Sequence, residues 1–238
     1  MGVEEDVSRR KVLALQCFKK LHNLWNRSHN VKTHIRLMAY KTIVESVLLF
    51  NGCTWALSTV QEDKLDTFQR RMLRQILHYK WSDKITNEEL YREAGVFPAS
   101  LQVLQSRWRM FGHTLRLNEN TPARKAMTYY FDDMKNGRQG PRVLISTCLS
   151  KEYHDTFKLK IDNKEIFDKL TLVAQDRDAW KRIVDAVVET RITDCSKKRY
   201  VQRQKRKGNF DSVESTHQYS LRSKRLKQND IKMEVSRG

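Results

Sequence analysis

The sequence has little proline, little glycine and little cysteine. Only three prolines occur in 238 residues, Pro98, Pro122 and Pro141, each near an apparent boundary. Proline breaks helix interiors, and the long intervals without it are open to continuous helix. The eight glycines are scattered and build no glycine-rich phosphate loop. Cys17, Cys53, Cys148 and Cys195 are too far apart for a zinc pair, whose ligands stand about two to four residues from each other. They read as reduced thiols of a cytosolic or nuclear protein. The seven histidines form no HExxH motif and no HxxxH pairing with a cysteine or acid, and neither a metal nor a cofactor is expected. The N-terminus passes from acidic to basic residues without the apolar core of a signal peptide. The most apolar stretch, Ile43 to Leu57, contains Glu45, Asn51 and Gly52. It falls short of the roughly 20 residues needed to span a bilayer. It reads as a buried helix with its exit, and no membrane partner is expected.

Positive charge is what the chain has in excess. Forty-six Lys and Arg stand against 28 Asp and Glu, a formal charge of +18. Such an imbalance points to a polyanionic partner, with nucleic acid ahead of acidic lipid. The surplus is unevenly placed. Residues 196–238 carry 13 basic and four acidic residues, a net +9 and half of the total. That segment has few large apolar residues and cannot bury enough surface to offset chain entropy. It is expected to be a disordered basic tail.

Before the tail, apolar residues recur at helical spacing. A first helix is expected from about Ser8 to Trp25 and a second from about Val31 to Phe50, its latter half apolar on most sides. Thr59 and Glu62 have the spacing of a capping box and open a third helix, with Leu65, Phe68, Met72 and Ile76 on its apolar stripe. A second capping box, Thr86 with Glu89, opens a short helix that Gly95 ends. After Pro98 comes the cleanest helix, with Leu101, Leu104, Trp108, Phe111 and Leu115 in a three-four alternation. Thr121 and Pro122 begin another. From Asp133 to Arg142 the pattern fails. Phe157 to Ile161 alternates weakly like a strand, and a last amphipathic helix covers about Ala174 to Val188. The expected fold class is therefore mainly α, a helical bundle with a small C-terminal helical extension and a disordered basic tail. The expected boundaries are a bundle over 1–131, a basic loop or linker over 132–150, the extension over 151–195 and the tail over 196–238.

Tyr130-Phe131-Asp132-Asp133 matches the aromatic-x-Asp-Asp signature of reverse transcriptase palms, where paired carboxylates hold two metal ions. That chemistry requires a hairpin between apolar strands and a third carboxylate upstream. The flanks here are helical on one side and loop-like on the other, and the four residues read as a helix terminus. No catalytic residue is expected. Glu88-Glu89 and Asp176-Arg177-Asp178 read as solvated helix charges.

Two basic helix faces are the binding candidates. The first is Arg70, Arg71 and Arg74, opposite the stripe of its helix. The second is Arg109, His113 and Arg116, with Gln102 and Gln105 adding hydrogen bonds. Both suit phosphate contacts, and both are equally readable as solvated helix surface. Trp25, Trp55, Trp81, Trp108 and Trp180 read as core rather than base-stacking platforms. In the tail, Lys197, Lys198 and Arg199 with Arg203, Lys205, Arg206 and Lys207 form a cluster like a bipartite nuclear import signal with a shortened spacer. Arg222 to Lys227 forms a second.

Taken in order, several motifs form a series. They are Leu24-Trp25, Leu37-Met38-Ala39-Tyr40-Lys41, Phe50-Asn51-Gly52-Cys53-Thr54-Trp55, Phe68-Gln69-Arg70-Arg71-Met72-Leu73, Arg107-Trp108-Arg109-Met110-Phe111-Gly112-His113 and Asp176-Arg177-Asp178-Ala179-Trp180. Over about residues 8–188 the series resembles the region after the palm in non-LTR (LINE-like) retrotransposon endonuclease–reverse transcriptases. The resemblance implies a thumb-like helical segment that grips a template–primer duplex by its backbone, with the catalytic palm preceding it. Three departures stand out. Phe50-Asn51-Gly52 replaces the usual Tyr-Gly. The Gly-Arg-Pro-Arg element is altered to Gly137-Arg138-Gln139-Gly140-Pro141-Arg142. No Cys/His knuckle is seen. The expected function is a non-catalytic, nuclear, RNA- or DNA-binding fragment of such an enzyme. The alternatives are a domesticated nuclear adaptor binding protein through exposed apolar surface, and a non-functional pseudogene product.

Overall fold

The computed structural model describes residues 2–26, 31–133, 144–161, 164–195 and 197. The chain divides into two compact units, Met1–Thr190 and Arg191–Gly238. In the second unit the described residues, 191–195 and 197, are helical. The remainder of the expected tail, with Lys198, Arg199, Arg203, Lys205, Arg206 and Lys207, lies outside the described residues, as do Asn136 to Arg142.

The first unit is built from helices, and no strand occurs among the described residues. In chain order they are α1 (Val3–Lys20), α2 (His22–Asn26), α3 (Thr33–Ala39), α4 (Ser46–Leu48), α5 (Thr59–Ile76), α6 (Asn87–Ala94), α7 (Ala99–Arg116), α8 (Pro122–Asp133), α9 (Ile145–Phe157) and α10 (Lys164–Gln175). A final helix, α11, covers 177–190. The mainly-α expectation holds. A π-helical turn, Tyr40–Glu45, joins α3 to α4 in one rod.

Helix starts follow local chemistry, with two shifts from expectation. α1 begins at Val3 rather than near Ser8, because Gly2 is its N-cap and Glu4, Glu5 and Asp6 place negative charge on the first turn. α5 is capped one residue earlier than the Thr59–Glu62 reading. The Ser58 backbone N–H donates to Gln61 Oε1 at 2.9 Å, and Gln61 N–H donates back to Ser58 Oγ at 3.4 Å. Ser58 has the extended backbone of an N-cap, whereas Thr59 is already helical. The Thr86–Glu89 box forms as read, and Gly95 ends α6 with φ +58°.

Two apolar cores share α7. The first gathers Phe18, Trp25, Tyr40, Val44, Leu48, Leu65, Leu73, Ile76, Leu90 and Val103 around α1, the α3–α4 rod and α5. The second gathers Leu104, Trp108, Phe111 and Leu115 with Phe131, Leu149, Phe167, Ala174, Trp180 and Val187. α7 therefore feeds the first core from its start, up to Val103, and the second from Leu104 onward. The expected break after residue 131 is not followed. Phe131 packs on Phe111 and Phe167 at centroid distances of 5.6 and 5.3 Å, which ties α8 to the C-terminal helices.

The expected linker and strand are corrected as well. α8 runs to Asp133 and α9 begins at Ile145, where Leu144 N–H donates to Thr147 Oγ1 at 3.0 Å. Phe157 closes α9 and Lys158 turns at φ +60°, leaving no strand over Phe157 to Ile161. α10 has no counterpart in the expected elements.

The corner at Phe50 to Trp55 packs against α7. Asn51 adopts φ +60°, and a Cβ on Gly52 would meet Val103 Cγ2 at 3.3 Å. Trp55 is buried, and its indole N–H donates to Asp6 Oδ2 at 2.7 Å. The corner thus joins α1 to α7.

Candidate nucleic-acid interface

Arg109, His113 and Arg116 recur at four and three residues on α7, one face of about 10 Å along the axis. α11 lies against this face. Trp180 donates its indole N–H to Trp108 O at 3.0 Å, and Arg116 NH1 donates to Ala174 O at 3.0 Å. Ala174 lies in the last turn of α10, so the C-terminal end of α7 is held at the point where α10 gives way to α11. Gly112 permits the close approach, since a Cβ there would lie 2.2 Å from Trp180 Nε1.

Between the helices runs a groove of about 370 Å³ lined by Arg109, His113, Arg116, Arg177, Trp180, Lys181, Val184 and Asp185. Arg109, His113, Arg177 and Lys181 are exposed, and Arg116 is half-buried. Four permanent cations and one imidazole share the lining with one carboxylate. Trp180 is only 4% exposed and its N–H is bonded inside. The floor of the groove therefore offers no stacking platform, and its walls offer hydrogen-bond donors for phosphate oxygens.

The other expected binding residues divide. Gln102 is half-buried, and its Nε2 donates to Glu45 Oε1 at 2.9 Å and to Phe97 O at 2.9 Å, which places it in a polar clip at the edge of the first core. Gln105 is half-buried. In the first basic face, Arg70 donates to Thr67 Oγ1 at 2.7 Å and stands 3.7 Å from Asp63. Arg74 donates to Asn87 Oδ1 at 2.7 Å, linking α5 to α6. Arg71 is exposed. None of these three residues lines the groove between α7 and α11.

Arg177 and Lys181 were legible as charges but not as groove residues. Their four-residue spacing beside Trp180 and Val184 was the available signal; what places them is the docking of α11 on Gly112.

Trp25, Trp55, Trp108 and Trp180 are core residues, all with bonded indole N–H groups. Tyr130 to Asp133 form the last turn of α8, helical rather than a hairpin. All four cysteines are free. Among the described residues no cluster of three or more His, Cys, Asp or Glu is placed to hold a metal, and no helix is long and apolar enough to cross a membrane. Large apolar side chains stand exposed on several helices, among them Val12 and Leu15 of α1, Ile35 and Met38 of α3 and Leu172 of α10.

Comparison with known proteins finds no match among family models, curated proteins or solved structures.

Proposed function

We propose that this protein binds RNA or DNA through phosphate contacts in the α7–α11 groove, as a non-catalytic, nuclear segment derived from a LINE-like reverse transcriptase. The observation that carries the reading is the convergence of Arg109, His113, Arg116, Arg177 and Lys181 on one groove. Donors aimed at a shared space with no base-sized platform favour sequence-independent backbone contact. The retrotransposon origin rests on the motif series from Leu24 to Trp180, and the nuclear location on the basic clusters of the tail.

The test is oligonucleotide binding as a function of salt. Affinity is expected to fall steeply with ionic strength, with a log–log slope of about −0.7 to −0.9 per phosphate contacted. Charge reversal of Arg109 and Lys181 together is expected to weaken binding at least tenfold and to flatten that slope by roughly 1 to 2, two contacts being lost. Salt-insensitive binding, or a double variant with unchanged affinity, overturns the assignment.

A second reading is favoured by the exposed apolar residues Ile35 and Met38 at three-residue spacing on α3. Under it the protein is a nuclear adaptor that binds protein. Partners that survive nuclease treatment in a pull-down, and are lost on Met38→Asp, would support it.

A further inference from the structure

A second cluster of cations forms where α1 packs on α5. Lys64, Phe68 and Arg71 follow one another at four and three residues on one side of α5, each about a helical turn from the next. Lys11 of α1 reaches over the middle of this row, its Nζ 5.9 Å from the centre of the Phe68 ring. Lys11 and Phe68 are half-buried, whereas Lys64 and Arg71 are exposed. Among the described residues none of the three cations makes a hydrogen bond or an ion pair. None of them lines the α7–α11 groove.

The cluster leaves positive charge unanswered. Arg10, next to Lys11 on α1, has Asp6 at 3.6 Å. Lys11 has no such carboxylate. Burial lowers its pKa from the ordinary 10.5, and the positive charge of Lys64 lowers it further. Both causes oppose the ammonium. The ring face offsets little, since 5.9 Å stands at the outer limit of a cation–π contact, about 6 Å. A lysine stem that only covered Phe68 would carry its ammonium out to water; here the fold holds it within reach of a second cation. An anion between Lys11 and Lys64 attracts both and offsets their repulsion. Lys11 lies over Phe68, so the site offers cations to an anion rather than a platform to a base.

We propose that Lys11 and Lys64 form a phosphate-binding site at the α1–α5 junction, with Arg71 taking the next phosphate of the same strand. The site is separate from the α7–α11 groove and does not rest on the role proposed there. Lys64 and Arg71 are seven residues apart, about 10 Å along α5. A phosphate held between the two lysines therefore leaves Arg71 for its neighbour, and the row fits a phosphodiester strand better than a single free phosphate.

The probes are a single-stranded DNA oligonucleotide with hydroxyl ends and inorganic pyrophosphate, which carries phosphate without a strand. Both are titrated against the full chain with Arg109 and Lys181 charge-reversed, so that the groove contributes least. Lys11→Met with Lys64→Met is expected to weaken oligonucleotide binding about fivefold and to flatten the log–log salt slope by about 0.7, one contact on a single strand. Arg71→Met should flatten it by a similar further amount. The same substitutions in the chain with an intact groove read the same slope changes, should the reversed protein not fold. Without any anion, Lys11→Met should melt no lower than its parent, because methionine keeps the contact with Phe68 and removes the opposed charge. Pyrophosphate should raise the melting temperature of the parent but not that of the Lys11→Met, Lys64→Met protein. Affinity and slope unchanged by the two lysine substitutions overturn the site. A Lys11→Met protein that melts several degrees lower overturns it too, since the lysine charge would then be satisfied without an anion. A pyrophosphate response that is lost with the two lysines, with no change for the oligonucleotide, makes free phosphate the ligand and overturns the strand.

Discussion

Asp66 on α5 caps α7 from outside, accepting from Ser100 N–H at 2.8 Å with one carboxylate oxygen and from Ser100 Oγ at 2.8 Å with the other. The N-cap of α7 is Pro98, which has no side-chain acceptor. The first N–H groups of a helix need partners, and α5 supplies them. Gln69 Oε1 accepts from Ala99 N–H at 2.8 Å, one residue before the Asp66 contact. Removing this cap leaves buried or half-buried donors unpaired. Asp66→Ala is expected to cost about 1–3 kcal/mol in chemical denaturation. Asp66→Asn, which keeps an acceptor for Ser100 N–H, should cost less. Equal losses for the two variants would contradict the capping role.

Glu45 gives a pH prediction with a definite sign. Its Oε1 accepts from Gln69 at 2.8 Å and Gln102 at 2.9 Å, yet burial raises its pKa above the usual 4.5 despite those bonds and the Lys41 charge. Burial likewise raises Asp66 above 3.8 against its Ser100 bonds. The folded state thus holds these protons more tightly than the unfolded chain does. Their contribution to stability is full below the unfolded values and is lost as pH rises through the elevated folded ones. Glu45→Gln keeps an acceptor oxygen and carries no charge. It is expected to be at least as stable as the parent near neutral pH, with its advantage shrinking as pH falls toward 4.5. Melting temperatures of both proteins across that range check this. A variant whose advantage grows on acidification would show the sign to be wrong.

Glu152 on α9 serves two adjacent residues of α7. Its Oε1 stands 2.5 Å from Arg107 NH1, and its Oε2 accepts the Trp108 indole N–H at 2.8 Å. Arg107 is 1% exposed and Trp108 fully buried. Glu152→Ala leaves a buried guanidinium without this counter-charge, a loss of about 3–5 kcal/mol in comparable cases. Arg107→Met with Glu152→Leu replaces both charges by apolar groups and is expected to recover much of that loss. Denaturant midpoints of the single and double variants read the difference. A double variant no more stable than Glu152→Ala would remove the burial argument.

Helix existence was legible in the sequence wherever an apolar stripe and a start signal coincided, as in Thr86 to Gly95 and Pro98 to Leu115. The way helices associate was not. Gln102 occupies the same helix as Arg109, and spacing alone groups them on one polar face. The difference is that Glu45, distant in sequence, accepts a hydrogen bond from Gln102 across the core. Likewise the stripe of α7 reads as a single apolar face, although it divides between two cores at Val103 and Leu104. α10 has no counterpart among the expected elements although Ile166, Phe167, Leu170 and Ala174 are helically spaced. Arg177 and Lys181 became groove residues only through the packing of Trp180 on Gly112.

That packing yields the last prediction. A methyl group at Gly112 would lie 2.2 Å from Trp180 Nε1 and 2.4 Å from Trp180 Cε2. Two effects compete in Gly112→Ala. Alanine favours the helix over glycine by about 1 kcal/mol. Against this, overpacking costs about 1–3 kcal/mol, and the loss of the Trp180 to Trp108 O hydrogen bond costs about 1 kcal/mol more. The clash is with the rigid edge of a buried indole, not the end of a flexible chain, and the unfavourable side is expected to win. α11 must then move away from α7, carrying Arg177 and Lys181 with it. Gly112→Ala should therefore lower both the melting temperature and the affinity for phosphodiesters, although no charge is removed. Trp180→Phe, with no Nε1 and a smaller ring, makes room for the methyl. The combined Gly112→Ala, Trp180→Phe protein is expected to lose less stability than the sum of its parts, a coupling of about 0.5–3 kcal/mol between contacting residues. Additive losses would mean that Gly112 and Trp180 do not determine how α11 docks.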